Sequence, residues 1–121
     1  MRQQTDLEIY VNCEMARLIA WLNGVAGPLE KTESLGETII YSSSVGPIVV
    51  TPATEEEPFT SVWLNTPASL WTTDVDFGRQ AARELRCVVR CDPGQHDPEV
   101  HPLSDVFLEI DGDGERLIYW A

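Results

Sequence analysis

Basic residues are scarce in this chain. Eight Lys and Arg stand against 20 Asp and Glu among 121 residues, a formal net charge of −12. A phosphate backbone repels such a surface, which excludes direct binding of DNA or RNA. The same repulsion disfavours an anionic membrane face. Cysteine is sparse as well: three residues are too few, and an odd number, for a disulfide framework. No apolar run approaches the roughly 20 residues that span a bilayer. The opening stretch MRQQTDLEIY lacks the apolar core of a secretory leader. These absences together predict a cytoplasmic protein with free thiols. Neither a G-x-S-x-G elbow nor a glycine-rich phosphate loop before a helix is present, so no reaction class is indicated and no cofactor is expected.

Core-forming material, by contrast, is ample. Hydrophobic residues make up 43% of the chain, enough for one domain over residues 1–121 with one core. DLEIYVN (6–12) alternates Leu7, Ile9 and Val11 with polar neighbours, as a half-buried strand does. Asn12 is placed to cap a following helix in which Met15, Leu18, Ile19 and Leu22 form a stripe, widened by Ala16, Ala20 and Trp21. Gly24, Gly27 and Pro28 end it. ETIIYSS (37–43) and PIVVTP (47–52) read as strands joined by a turn whose glycine takes positive φ, and FTSVWLN (59–65) alternates again. Thr73 reads as the N-cap of a second helix, with Asp76 three residues on as an acidic capping box. Val75, Phe77, Ala81, Ala82 and Leu85 form its buried side. CVVRC is a short strand, and SDVFLEI and RLIYW face each other across DGDGE as a hairpin. The predicted order is β-α-β-β-β-α-β-β-β, an α+β fold with a mostly antiparallel sheet and two helices on one face.

Cys87, Cys91, His96 and His101 fall in the pattern C-x3-C-x4-H-x4-H. Tetrahedral zinc needs ligand atoms roughly 3–4 Å apart, whereas a strand separates Cys87 from Cys91 by about 13 Å. The pattern also lacks the C-x-x-C of a redox pair. The two cysteines are therefore read as small apolar residues on a core face, and no metal is expected. DGDGE has the composition of the start of a calcium loop, but an EF-hand requires about twelve residues between helices. Asp74, Asp76 and Asp105 with His96 or His101 have the residue types for acid–base work, yet nothing in the sequence brings them together.

The distribution of charge carries more information. Between Asp92 and Glu115 lie eight acidic residues, Asp92, Asp97, Glu99, Asp105, Glu109, Asp111, Asp113 and Glu115, and no Lys or Arg. With His96 and His101 these are the candidate partner-binding residues. A carboxylate-rich face raises the association rate with a basic cleft by electrostatic steering. Trp63, Trp71 and Trp120 are the candidate aromatic anchors.

LWTTDVDFGRQAARELRCVVRCDPG and HPLSDVFLEIDGDGERLIYW together resemble the immunity proteins of bacterial polymorphic toxin systems, the antidotes of contact-dependent or type VI effectors. The resemblance covers about the last 50 residues, as a helix, a short strand, an acidic Pro-containing loop and a terminal hairpin. It implies a cytoplasmic monomer or weak homodimer that binds a cognate toxin domain at its basic cleft and blocks its active site. No functional residue carries over position by position. Two alternatives stay open: an acidic inhibitor or nucleic-acid mimic acting on a host enzyme, and a small His/Asp-dependent enzyme.

Overall fold

β1 (Asp6–Asn12) is the strand on which the sheet is assembled. In the computed structural model, which describes residues 6–65, 71–93 and 105–120, one side of β1 is fully buried at Leu7, Ile9 and Val11. The chain continues through α1 (Met15–Val25), β2 (Glu30–Leu35), β3 (Thr38–Ser42), β4 (Ile48–Thr51) and β5 (Thr60–Asn65). It then forms α2 (Asp74–Leu85), β6 (Val88–Cys91), β7 (Val106–Asp111) and β8 (Gly114–Tyr119). All eight strands join one antiparallel sheet in the order β2-β3-β4-β5-β1-β6-β7-β8. The α+β fold is as the alternation predicts, with one strand added. β2, EKTESL, is exposed at every position, so it has no apolar alternation to reveal it. It forms one edge of the sheet, where charged side chains guard an unpaired backbone.

Leu7, Ile9, Val11, Ile48, Val50, Val62, Leu64, Val89, Cys91, Leu108 and Ile110 lie on one face of the sheet and merge with Leu18 and Leu22 of α1 and Val75, Phe77, Ala81 and Leu85 of α2 into one core. The predicted stripe of α1 is inward at Leu18 and Leu22, with Met15, Ile19 and Trp21 packed on the core margin. Ala16 and Ala20 instead face solvent. Trp71, a candidate anchor, belongs to this core: its ring stacks on Phe77 at 4.3 Å and its indole N–H donates to Gln80 at 2.8 Å. Burial of both the ring and a satisfied N–H is the usual lot of a core tryptophan.

Thr73 caps α2 as predicted, its hydroxyl accepting from the Asp76 N–H at 3.1 Å. The carboxylate of Asp76 does not close a capping box; it accepts from the Thr72 hydroxyl at 3.0 Å. Asn12 does not cap α1. It remains the last residue of β1, paired with Val88, and the N-cap position falls on Glu14 with no side-chain cap. Strand pairing outcompetes the cap here because Asn12 still lies within the β1–β6 ladder. After α1, Gly27 takes φ +84°, a backbone conformation that favours glycine, with the Ser44 side chain against the place a Cβ would occupy.

Candidate partner-binding face

Alternation along the strands places a second set of side chains on the face opposite the helices. Cross-strand register aligns Thr38, Thr51, Ser61, Tyr10, Arg90, Glu109 and Arg116 in one row across seven strands. Among the described residues, no helix covers this row. Phe59 and Trp120 flank it, just before β5 and just after β8. Four strand spacings separate β5 from β8, about 19 Å if the sheet were flat. The rings of Phe59 and Trp120 nevertheless have centroids 5.3 Å apart. The sheet therefore coils over its helix-free face, in keeping with the strong twist of long antiparallel sheets. That face is concave.

Four aromatic rings line the hollow. Trp120 meets Tyr10 at 5.0 Å and Phe107 at 5.1 Å, both edge to face, and Tyr10 meets Phe107 at 6.1 Å. The Arg90 guanidinium lies over Phe59 at 4.3 Å and over Trp120 at 4.8 Å, a cation that caps both rings of the pair. Glu109 neutralises it at 2.9 Å. Next to this cluster opens a groove of about 390 Å3 walled by Tyr10, Phe59, Phe107 and Trp120, with Thr51, Ser61, Thr54 and Glu57 as its polar rim. Glu57 belongs to the β4–β5 loop, which a Thr54–Glu57 turn fixes through bonds of 2.8 and 3.0 Å. Glu8 accepts from the Ser61 hydroxyl at 2.8 Å beside the same groove. Burial, helped by the charge of Glu8 and a hydrogen bond to it, pushes the Tyr10 hydroxyl up to about 12, so it stays protonated.

Among the described residues, the acidic side chains singled out in the sequence are spread over more than one surface. Glu109 and Asp111 point to the concave face, Glu115 to the helix face, and Asp113 stands at the tip of the β7–β8 hairpin. Their charge is also balanced from neighbouring elements. Glu109 pairs with Arg90 and with Arg116 at 2.8 Å, Asp111 with Arg116 at 3.0 Å, and Glu115 with Arg79 of α2 at 2.7 Å. The Arg116 guanidinium holds the Asp111 carboxyl below its ordinary range. Asp92 is exposed beyond β6 and Asp105 is exposed before β7, its carbonyl accepting from the Trp120 N–H at 2.9 Å. His96, Asp97, Glu99 and His101 lie outside the described residues, as does any arrangement of the histidines with Asp105. Of the aromatic candidates, Trp120 is part of the hollow, and Trp63 is half-buried on the same face opposite Glu8 and Val49. Tyr10, Phe59, Arg90 and Phe107 are the residues that sequence reasoning missed. The alternation of FTSVWLN sets Phe59 on the face opposite to Val62, but nothing in one dimension shows that it meets Trp120.

The cysteine pattern resolves as strand and core. Cys91 is fully buried, and burial pushes its thiol up to about 12. Asp74, the first residue of α2, accepts from the Glu8 N–H at 3.1 Å where β6 no longer pairs with β1. Burial, with Asp92, Glu8 and Asp6 nearby, raises its carboxyl to about 6 despite that bond. Among the described residues, no His, Cys, Asp and Glu side chains are grouped as metal ligands, and no helix is long and apolar enough to cross a membrane.

Comparison with protein-family models, with curated proteins and with solved structures gives no match.

Proposed function

We propose that this chain is an immunity protein that acts in the cytoplasm by holding a cognate bacterial toxin domain against its concave sheet face. The observation that carries the reading is the hollow itself. A sheet face without a helix is ordinarily polar, and here it gathers four aromatic rings around a groove of about 390 Å3. Aromatic residues framed by polar groups are the composition of binding hot spots. The charge of the face selects the partner. Arg90 and Arg116 are balanced by Glu109 and Asp111, so Glu8 and Glu57 leave the groove's surroundings net negative. A chain of net charge −12 then steers a basic partner toward it. A toxin that acts on nucleic acid or nucleotides has such a basic cleft, and an aromatic hollow rimmed by carboxylates would occlude it.

The test is co-expression with the toxin-like product of the gene immediately upstream. Rescue of growth and recovery of a one-to-one complex with nanomolar Kd are expected. A toxic product that neither binds this protein nor is neutralised by it would refute the reading.

A further inference from the structure

The β1–β6 ladder runs out at a pair of cysteines. Tyr10 pairs with Arg90, Val11 with Val89 and Asn12 with Val88, and Cys13 and Cys87 are the next residues along, one step past the ends of β1 and β6. Directly opposed positions on antiparallel strands hold their Cβ atoms about 4.5–5.5 Å apart, near the range a disulfide spans. The Cys13 thiol donates to the Glu14 carbonyl at 3.3 Å, the two thiols are near enough to act on each other's ionisation, and both side chains are half-buried against the margin of the core. Both are free thiols, as is Cys91. Cys13 sits between β1 and α1, and Cys87 sits between α2 and β6, so this one contact joins both helix–strand junctions.

Cys87 is also reached from outside. It lines a second cavity, of about 730 Å3, between α2 and the β7–β8 hairpin. Arg79, Arg83 and Arg86 stand on the wall of that cavity, three of the eight basic residues in the chain. Asp111 and Glu115 stand on the same wall, Glu115 paired with Arg79, so three positive charges face two negative ones and leave a slight bias toward an anionic thiol reagent.

We propose that Cys13 and Cys87 form a redox pair that a small anionic disulfide, of the class of oxidised glutathione, closes into an intramolecular disulfide. Cys87 gives up its proton and its sulfur attacks one sulfur of the reagent; the reagent's S–S bond breaks and the first glutathione leaves as a thiolate, which takes up a proton. Cys13 then loses its proton and attacks the Cys87 sulfur, and the second glutathione leaves in the same way. Two protein thiols are oxidised to one disulfide, and one reagent disulfide is reduced to two thiols. Burial holds both protein thiols above their ordinary range, so the exchange is slow and is read at equilibrium. Cys91 takes no part, because it is sealed in the core.

The experiment equilibrates the full chain with oxidised or reduced glutathione, blocks remaining thiols with an alkylating reagent, and maps the peptides by mass spectrometry. A Cys13–Cys87 cross-link in the oxidised sample and its absence in the reduced one are expected. The closed form should melt at least about 5 °C higher, because the link removes conformations from the unfolded chain. Cys13→Ser should trap a glutathione adduct on Cys87. An oxidised sample in which Cys13 and Cys87 remain alkylatable, or in which the linkage is only intermolecular or involves Cys91, would overturn the proposal, and the mapping of the unmodified protein decides this even if the variant does not fold.

Discussion

Replacing Asp74 with asparagine should stabilise the protein at neutral and alkaline pH and leave it unchanged in acid. The carboxyl lies at the start of α2, where the helix dipole favours a negative charge, and it accepts from the Glu8 N–H. Burial and three acidic neighbours outweigh that hydrogen bond and raise the carboxyl from an ordinary 3.8 to about 6 in the folded chain. Between those values the folded state binds a proton that the unfolded state has released. Stability from this group is therefore fully present below 3.8 and is lost as pH rises through 6. At about 1.4 kcal/mol per pH unit, the loss reaches about 3 kcal/mol at pH 8 as an upper figure, since the side chain is not wholly dry. Asparagine keeps an oxygen for the Glu8 N–H and carries no charge. Urea unfolding of the two proteins at pH 4, 6 and 8 isolates the effect, because every other carboxylate is common to both. The difference in unfolding free energy should be about 0.5 kcal/mol at pH 4 and grow to about 2–3 kcal/mol in favour of Asp74→Asn at pH 8. A difference that stays constant with pH, or an asparagine variant less stable at pH 8, would refute the reasoning.

Arg90→Met removes the cation that lies over Phe59 and Trp120 and leaves the Glu109 carboxylate half-buried with only Arg116. It should cost about 2–3 kcal/mol in urea unfolding, and a loss below about 0.5 kcal/mol would mean that the aromatic cluster does not depend on it. Thr73→Ala deletes the N-cap of α2 and should cost about 1 kcal/mol, with Thr73→Ser recovering most of it in the same assay.

How far the fold can be read from the sequence depends on what each element answers to. Strands and helices that bury one side announce themselves, because burial imposes a period of 2 or 3.6 on the apolar residues. Val75, Phe77, Ala81, Ala82 and Leu85 were legible in this way, and all are buried. The Thr73 cap was legible because it is a local hydrogen bond. β2 was not, because it is held by backbone pairing to β3 and buries no side chain. Asn12 misled for a related reason: its cap competes with a ladder bond to a strand some 75 residues away, visible only once the sheet exists. The candidate site was the least legible part. The segment from Asp92 to Glu115 has no base within it, yet Arg79, Arg90 and Arg116 reach in from α2, β6 and β8. The hollow requires Phe59 and Trp120 to meet across four strand spacings, which is set by the coiling of the whole sheet and by no local pattern.

The most direct test of the concave face is calorimetric titration of the purified toxin domain with the wild-type protein and with Glu57→Lys. Glu57 is exposed in the β4–β5 loop on the rim of the groove, and its side chain contributes nothing to the core. The account predicts that reversing this charge weakens Kd at least tenfold, by about 1.4 kcal/mol or more, and flattens the salt dependence of binding. An unchanged Kd for Glu57→Lys, together with weakened binding for Arg83→Glu on the helix side, would place the partner on the other face and contradict it.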